Sequence, residues 1–343
     1  MSIAAIEPAE HFPRLIADVG GTNARFALEV APMRLAHIDV KACRDFQSLE
    51  AAARAYLAAL GEPGQSVRHA AIGIANPVVG DFLQMTNHSW AFSISATQHT
   101  LGLDSFHVIN DFTALAHALP YLPPSALEQI GGGEADPHAP RVLVGAGTGL
   151  GVSGQIPFGH NAVALAGEGG HISFSPVDDE EIRLWQFARR RFGHVSAERF
   201  LSGPGLELID EALATFEGDA QGAPRHAAMV TSLARAGDRR SRKAVDLFCA
   251  MLGTVAADVT LVLGARGGVY IGGGIVPKLG KAFASSPFRQ RFDDKGRFRP
   301  YLERVPVFVI HAQYPALIGL SAYLANALAA QYENCNAAGK SFR

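Results

Sequence analysis

The sequence has few cysteines, and their positions exclude two kinds of site. Among 343 residues, the cysteines are Cys43, Cys249 and Cys335. They lie too far apart for a zinc knuckle, and an odd number does not form a closed disulfide framework. We therefore expect reduced thiols, as in a cytosolic protein.

The sequence also lacks excess charge and a leader. Its formal net charge is −2, which gives no electrostatic basis for non-specific binding to a polyanion. The N-terminal MSIAAIEPAEHFPR has no basic segment followed by a long apolar stretch, and no window approaches the ~18 apolar residues of a membrane span. We expect a cytoplasmic protein that binds neither nucleic acid nor membranes.

Composition is otherwise that of a globular protein. Hydrophobic residues make up 48% of the chain and charged residues 18%. The length suggests two domains or one large one, at roughly 100–200 residues per domain. Glycine is frequent: 36 of the 343 residues are glycine, a larger share than the usual ~7% of a chain. The glycines occur in clusters. The clusters are where we look for chemistry.

Hydrophobic periodicity divides the chain into two halves of similar design. Residues 15–30 read as a strand, a glycine turn and a second strand, and residues 142–154 repeat that pattern. The stretch 121–140, rich in Pro, Gly and acidic residues, reads as a crossover between domains. We further predict helices at 49–57, 112–119, 180–192, 204–216, 225–236, 241–263 and 315–328, strands at 70–75, 106–109, 267–271 and 305–311, and a frayed tail from Asn334.

The first glycine turn follows an acidic residue at a strand end. In Asp18-Val-Gly-Gly-Thr22-Asn23 the backbone N–H groups of the turn are unobstructed by side chains and can cradle phosphate oxygens. The alternative is an ordinary hairpin whose glycines supply positive φ angles. The sequence leaves both interpretations open.

The second turn matches a dinucleotide fingerprint only formally. Gly149-x-Gly151-x-x-Gly154 is followed by strand-like residues rather than by a helix, so it fails the context that a Rossmann site requires. No Walker-type GxxxxGK followed by Ser or Thr occurs. Phosphate binding would then fall to two facing glycine hairpins, with Thr148 offering a hydroxyl to the terminal phosphate.

Four other segments of the chain contain candidate ligand contacts. Asp111, after Asn110, stands where a strand meets a helix, a common place for ligand contacts but also for an N-cap. Glu168 and His171 belong to a glycine-rich loop that suits sugar hydroxyls. Glu198 begins a short helix and could serve only its dipole. Residues 272–274 form either a simple turn or a flat surface for an adenine ring.

Taken together, seven fragments resemble the bacterial glucokinase family of the sugar-kinase, actin-like ATPase superfamily. They are ADVGGTNARFAL, MTNHSWAFSI, INDFTALAHALP, GAGTGLG, AGEGGHISFSP, GHVSAERFLSGPGLELI and GGVYIGGGIVPK. Their order covers about Leu15 to about Leu328. The resemblance implies an α/β, two-domain, ribonuclease-H-like (actin-like ATPase) fold with the active site in the interdomain cleft. It implies a small domain of residues 14–121 plus 312–333, a large domain of 122–311 and a tail of 334–343.

The resemblance also implies ligands and roles. Its ligands are glucose, ATP and Mg²⁺, its reaction is phosphorylation of the glucose 6-hydroxyl at the entry of glycolysis, and its assembly is a homodimer. The implied sugar ligands are Asn110, Asp111, Glu168, His171 and Glu198, with Asp111 as the catalytic base. The implied nucleotide contacts are Ala17, Asp18, Val19, Gly20, Gly21, Thr22, Gly147, Thr148, Gly149 and Gly273, with Asp18 holding Mg²⁺ through water.

The sequence departs from the family pattern at one position and lacks a motif of a related group. Two alternative functions remain. Ala17 replaces a glycine often found there in the family, and the cysteine-rich zinc motif of the related repressor and kinase group is missing. A kinase for another hexose or an N-acetylated amino sugar fits the same fragments. A sugar-responsive regulator on the same fold is disfavoured, because the roughly twenty residues before the first glycine turn leave no room for a helix-turn-helix.

Overall fold

The computed structural model describes residues 11–86, 88–159, 161–219 and 223–340. The predictions about the N-terminal ten residues and the last three fall outside that description. The chain divides into two compact units: one joins the residues up to Leu122 to those from Ala312 onward, and the other is Pro123–His311.

The strands and helices of the described residues follow in chain order. The strands are β1 Arg14–Val19, β2 Asn23–Ala31, β3 Arg34–Ala42, β4 His69–Ile74, β5 Phe82–Gln84, β6 Ala91–Ser93, β7 Ser105–Asn110, β8 Leu127–Gln129, β9 Arg141–Ala146, β10 Leu150–Phe158, β11 Asn161–Leu165, β12 Val269–Gly272 and β13 Val307–Ile310. The helices are α1 Leu49–Ala59, α2 Glu62–Gln65, α3 Ile94–Leu101, α4 Asp111–Ala118, α5 Asp179–Arg189, α6 Gly203–Phe216, α7 Ala227–Ala236, α8 Arg239–Leu263, α9 Val276–Leu279, α10 Lys281–Ala284, α11 Phe288–Asp293, α12 Arg299–Leu302 and α13 Pro315–Lys340. Short 3₁₀ turns lie at Cys43–Asp45, Leu119–Tyr121, Pro124–Ala126, Gly169–His171, Ala197–Arg199 and Gly296–Phe298.

The first unit is built on a five-stranded sheet in the order β3-β2-β1-β4-β7. The β1, β2 and β3 strands pair antiparallel as hairpins, whereas β1, β4 and β7 pair in parallel. Strand β1 is buried on both faces for most of its length, as expected of a central strand that is covered on both sides. Because successive side chains alternate, Leu15 joins the core on one face of the sheet and Ile16 the core on the other.

Helix α13 covers the second of these faces. Leu317, Leu320 and Leu324 recur at helical spacing and pack in the same cluster as Ile16. Gly319 lies so close to α4 that a Cβ there would overlap the carbonyl oxygen of Ala114. The C-terminal helix is therefore an integral part of the first unit.

The second unit repeats the strand order of the first. Its sheet runs β11-β10-β9-β12-β13, with β8 added antiparallel beyond β13. Strand by strand, the first five correspond to β3-β2-β1-β4-β7, and both central strands form a hairpin with the strand after them. This is the ribonuclease-H-like arrangement expected in each half.

The structure corrects the sequence prediction at three places. The predicted crossover at 121–140 contains the short strand β8, whose three residues carry too little pattern to be recognised. Helix α13 continues to Lys340, whereas we expect a frayed tail from Asn334. Helices α9–α12, between 276 and 302, were not predicted.

Helix α8 also departs from the expectation that no segment could span a membrane. By length and composition it is apolar enough to do so. However, 72% of its most apolar 18-residue window is buried inside the protein, and its Phe248, Met251 and Leu252 pack into the core of the second unit. It is a core helix.

Candidate active site

The first glycine turn joins β1 to β2 in the first unit. The N–H of Gly20 donates to the carbonyl oxygen of Asn23 at 3.0 Å and closes the turn. The glycines at 20 and 21 do not have positive φ angles, and a Cβ on Gly20 would meet nothing nearer than the Asn23 oxygen at 3.6 Å. The hairpin interpretation, in which φ requires glycine, is therefore wrong for this turn. The space above Gly20 is left open to a ligand.

A cross-strand ion pair stands directly below this turn. Asp18 on β1 lies opposite Arg25 on β2, and an Arg25 Nη1–H group donates to Asp18 Oδ2 at 2.9 Å. Burial raises the pKa of the Asp18 carboxyl, and the Arg25 charge opposes that rise. The guanidinium thus helps to keep a largely buried carboxylate ionised at neutral pH.

The donor set at Asp18 fits a magnesium ion that keeps its water. Mg²⁺ is usually held by one or two carboxylates, with waters and phosphates completing its octahedron. Within the described residues, no group of three His, Cys, Asp or Glu side chains could hold a metal by protein ligands alone. A single carboxylate beside a candidate phosphate-binding turn is the arrangement expected for a water-mediated ion.

Two predicted nucleotide contacts lie underneath the turn. Ala17 and Val19 are completely buried in the core of the first unit. They support the turn and are not exposed to a ligand, which corrects their assignment as contacts. Gly21 is half-buried and Thr22 exposed, so the surface of the turn consists of residues 20–22.

The parallel strands β1, β4 and β7 bring Asn110 to the edge of the sheet that carries this turn. Val19, Ile74 and Asn110 are partners in register at the ends of the three strands. The carboxyl ends of parallel strands are where α/β proteins place ligand-binding groups. The turn and Asn110-Asp111 therefore share one edge of the first unit.

Asn110, rather than Asp111, is the N-cap of α4. Its Oδ1 accepts the N–H groups of Phe112 and Thr113 at 2.9 and 3.1 Å. Asp111 is the first helical residue, and its Oδ1 accepts the Phe112 N–H at 2.9 Å and the Asn110 amide at 3.1 Å. The cap that we considered as an alternative for Asp111 is supplied by its neighbour. The Asp111 carboxylate is held at the helix N-terminus, where the dipole stabilises a negative charge.

The second glycine turn has the same place in the second unit. It joins β9 to β10, and the N–H of Gly147 donates to the carbonyl oxygen of Gly149 at 2.8 Å. Gly147 also lacks a positive φ, and a Cβ there would have Gly274 N at 3.9 Å as its nearest neighbour. Thr148, at the tip, is exposed. We had expected the glycine N–H groups to bind phosphate, but those of Gly20 and Gly147 close the turns. Gly21, Thr22, Thr148 and Gly149 remain as candidate donors.

The third glycine cluster lies beside the second turn. Strand β12 ends at Gly272, which pairs with Gly145 of β9, and the N–H of Ile275 donates to the carbonyl oxygen of Ala146 at 3.2 Å. Gly273 has φ +81°, and a Cβ would overlap the backbone of Ala146. Gly273 is thus required by the fold, whereas Gly274 faces open space among the described residues.

The loop with Glu168 and His171 packs against the strand that leaves the second turn. A Cβ on Gly170 would overlap the carbonyl oxygen of Leu150, so glycine lets this loop approach β10 closely. Glu168 and His171 are exposed, at either end of the Gly169–His171 turn. The main-chain bond from Ala197 N–H to the Ile172 carbonyl oxygen, 2.9 Å, joins this loop to the turn that carries Glu198.

Glu198 reaches the same strand from the other direction. Its Oε2 accepts the N–H of Leu150 at 2.8 Å, 48 residues away in the chain. Leu150 is thus contacted by both candidate sugar-binding segments of the second unit. A cavity of about 300 Å³ opens here, lined by Thr148, Glu198, Ser202 and residues of α6.

The N-terminus of α6, in the wall of this cavity, has its donors already bonded. Gly203 N–H donates to the Gly147 carbonyl oxygen at 2.8 Å, Gly205 N–H to the Ser202 hydroxyl at 3.1 Å, and Pro204 has no N–H. The polar groups that the cavity offers are therefore side chains and the Thr148 tip of the turn.

Sequence reasoning missed Arg25 and the anchoring bond of Glu198. Arg25 could have been found, because a hairpin turn of known length places it opposite Asp18. The contact between Glu198 and Leu150 leaves no local signal, since it depends on the tertiary fold.

Comparison with known proteins places the chain in a family. The glucokinase family matches residues 15–327. A glucokinase of Ralstonia nicotianae is 60% identical over 339 residues, covering 95% of this chain and 99% of that protein. The crystal structure of a glucokinase from an Antarctic psychrotroph has a TM-score of 0.81 at 34% identity, covering 92% of this chain and 99% of that one. A ROK family glucokinase from Streptomyces griseus, crystallised with glucose and AMPPNP, has a TM-score of 0.62 over 92% and 99% of the two chains; at 20% identity it bears on the fold alone.

The duplicated sheet with a glycine turn at each central hairpin is that of the sugar kinases with the actin-like ATPase fold. On the family match and the 60% identity over nearly its whole length, the chain belongs to the glucokinase family.

Proposed function

We propose that the protein transfers the terminal phosphoryl group of ATP to the 6-hydroxyl of D-glucose, giving glucose 6-phosphate and ADP. The observation that carries this proposal is the position of Asp111. The first residue of α4, it stands at the sheet edge that holds the first glycine turn, with one carboxylate oxygen fixed by the Phe112 N–H. A base oriented beside a phosphate-binding turn is what phosphoryl transfer to a hydroxyl requires.

Asp111 acts as the base. As the 6-oxygen attacks the terminal phosphorus, its proton passes to the Asp111 carboxylate, the bond to the bridging oxygen breaks, and ADP leaves. A positioned general base contributes about 10²–10⁴-fold to such a step. The Phe112 N–H on Oδ1 restricts the rotation of the carboxylate, so the group is oriented before the sugar arrives.

Asn110, Glu168, His171 and Glu198 bind the other sugar hydroxyls. Three of them belong to the second unit, where Glu198 and the loop with Glu168 and His171 converge on Leu150. Carboxylates accept hydroxyl protons, and the imidazole can donate or accept. A sugar that lacks one hydroxyl leaves a polar group unpaired, which is the source of selectivity.

The glycine turns bind the nucleotide. Open space above Gly20 and Gly147 lets phosphate oxygens reach the backbone, and Thr148 adds a hydroxyl. Asp18 would hold the waters of a bound Mg²⁺, and Arg25 keeps that carboxylate charged and in place. When bound, Mg²⁺ neutralises charge on the phosphates. The match to the glucokinase family and the 60% identity to a glucokinase support glucose as the sugar. We further propose a cytoplasmic homodimer that acts at the entry of glycolysis.

The test replaces the base and keeps its shape. Asp111→Asn should lower kcat by about 10²–10⁴-fold while glucose binding, measured calorimetrically, remains detectable. The matched control is Asp104→Asn, an exposed carboxylate at the opposite end of β7, which should leave kcat unchanged. Appreciable residual turnover by Asp111→Asn removes Asp111 from the role of base.

The identity of the sugar is tested separately. An ATP-coupled assay should compare glucose, mannose, fructose and an N-acetylated amino sugar by kcat/KM. We expect glucose to give the highest value. If another hexose does, the kinase class stands and the proposed substrate is wrong.

A further inference from the structure

We propose that Glu198 positions the second glycine turn, so that the same carboxylate serves the nucleotide as well as the sugar. The inference rests on the proposed function of that turn. It assigns Glu198 a second role, as a positioning residue for the phosphate-binding backbone, that acts even when no sugar is bound.

The contact with the turn is direct and charged. Glu198 Oε2 accepts the N–H of Leu150, the residue that follows Gly149, at 2.8 Å. A hydrogen bond from a backbone N–H to a carboxylate is stronger than one between neutral groups. Glu198 is half-buried, so solvent screens this bond only in part. The bond fixes the end of the turn at which Gly149 offers its own N–H.

The Glu198 carboxylate occupies the space that a side chain at position 149 would need. A Cβ on Gly149 would overlap Glu198 Oε2 and approach the carboxyl carbon to 3.2 Å. Gly149 does not have a positive φ, so its backbone conformation does not require glycine. The missing side chain instead makes room for the carboxylate. This is a reason for glycine distinct from the one at Gly147, where the space is open.

The backbone around Glu198 is itself held to the turn. The Ser202 hydroxyl donates to the Glu198 carbonyl oxygen at 2.9 Å, and the Gly203 N–H donates to the Gly147 carbonyl oxygen at 2.8 Å. The segment 198–203 thus contacts both ends of the turn. A sugar hydroxyl that donates a hydrogen bond to the Glu198 carboxylate contacts the same group that accepts the Leu150 N–H. This shared carboxylate couples sugar binding to nucleotide binding.

The experiment measures nucleotide binding without sugar. Isothermal titration of the full-length protein with AMPPNP and Mg²⁺, in the absence of glucose, should give a Kd about 5- to 50-fold higher for Glu198→Ala than for the wild type. Glu198→Gln keeps an oxygen that can accept the Leu150 N–H, so its nucleotide Kd should stay within about 3-fold of the wild-type value while its KM for glucose rises.

Two further variants separate this role from general effects. Gly149→Ala displaces the carboxylate without removing it, and should raise the nucleotide Kd as Glu198→Ala does; the double variant should be no worse than either single one. Glu207→Ala is the matched control. Glu207 lines the same cavity and accepts the Ala227 N–H at 2.9 Å, but it anchors α7 rather than the turn, so its nucleotide Kd should match the wild type.

The outcomes distinguish the inference from the function beneath it. A wild-type nucleotide Kd for Glu198→Ala overturns the positioning role and leaves the proposed kinase intact. Equal weakening by Glu207→Ala also overturns it, because the cause would then be the charge of the cavity. If the wild type binds no nucleotide, the proposed function fails and this inference fails with it.

Discussion

The two glycine hairpins occupy the same place in sheets of the same strand order, yet they are built differently beneath the turn. In the first, Asp18 and Arg25 face each other at the second pair of residues from the turn. In the second, the corresponding pair is Gly145 and Gly151. One hairpin therefore carries its own ion pair, whereas the other has no side chains at that position.

The second hairpin receives its charge from elsewhere in the chain. Glu198, from the turn Ala197–Arg199, places a carboxylate against Leu150. The first hairpin is thus organised by neighbours within ten residues, and the second by a contact that spans 48. The two sheets of the same strand order therefore differ in electrostatics: the charges of the first hairpin suit a hydrated cation, and those of the second link the turn to Glu198, the proposed sugar ligand.

In the comparison of the two hairpins, the largest expected effect comes from removing the charge of the first. Asp18→Asn should lower kcat by about 10²–10³-fold at saturating glucose and ATP, because the carboxylate that we propose to orient a hydrated cation loses its charge. Steady-state rates across a Mg²⁺ titration measure this. Asp39→Asn serves as the control, since Asp39 is exposed on β3 of the same sheet and pairs with Lys41. Wild-type turnover by Asp18→Asn would mean that the ion pair is only structural.

The next effect compares Gly20 and Gly147, at the proposed phosphate sites, with Gly273, which the fold requires. Gly20→Ala and Gly147→Ala meet no close contact and no left-handed φ, so both proteins should fold with nearly unchanged Tm. Each added methyl would stand where we place phosphate oxygens, and should raise the KM for ATP by about 10- to 100-fold. Thermal unfolding and ATP titration, run on the same samples, measure both quantities.

Gly273→Ala is the counterpart of these variants. Its φ of +81° costs an alanine roughly 1–2 kcal/mol, and the overlap with Ala146 adds to that cost. We expect a clear fall in Tm. If Gly20→Ala and Gly147→Ala lower Tm as much as Gly273→Ala does, the open space above the two turns does not mark a ligand site.

The sequence was sufficient for the parts of the fold whose causes are local. Strand–turn–strand patterns predicted both hairpins, and helices α5–α8 begin and end within three residues of their predicted positions. Strand β8 was missed because three residues on a sheet edge carry no periodicity. Helix α13 proved longer than predicted because its last turns lack the apolar stripe on which the prediction depended.

In the candidate site, too, sequence predicts what has a local cause and misses what depends on tertiary packing. Position alone made Asp111 a helix cap, but only the structure shows that Asn110 supplies the cap and leaves Asp111 as the first residue of α4. Two neighbouring residues that both favour caps cannot be ranked by sequence. The meeting of Glu198 with Gly149 depends on how the turn Ala197–Arg199 packs against the start of β10, for which local patterns give no information.

The smallest expected effect concerns stability at mildly acidic pH, and it again separates the two units. In the first unit, burial lowers the pKa values of His69, His107 and His117 below 6.5. These groups stay neutral in the folded protein and bind protons on unfolding. Their contribution to stability is complete above pH about 6.5 and is lost as the pH falls below that value toward their folded-state pKa values.

In the second unit two carboxyl groups act with the opposite sign. Burial raises the pKa of Glu181 above its ordinary 4.5, and partial desolvation on the exposed side of α8 raises the pKa of Asp246 above its ordinary 3.8. Their folded forms bind protons more readily than their unfolded forms, so they favour folding as the pH falls through the raised pKa values. Asp18 acts in this direction in the first unit, against its three histidines.

Hydrogen exchange at pH 7.5 and pH 5.5, corrected for the intrinsic exchange rate, tests the difference between the units. We expect β4, β7 and α4 to lose more protection at pH 5.5 than β9 and α8 do, because His69, His107 and His117 lie on the first three of these elements. His107→Gln removes one titrating imidazole and should reduce that loss in β7, whereas His138→Gln, on an exposed turn of the second unit, should not. An equal loss of protection in both units would show that burial of these histidines does not govern the acid response.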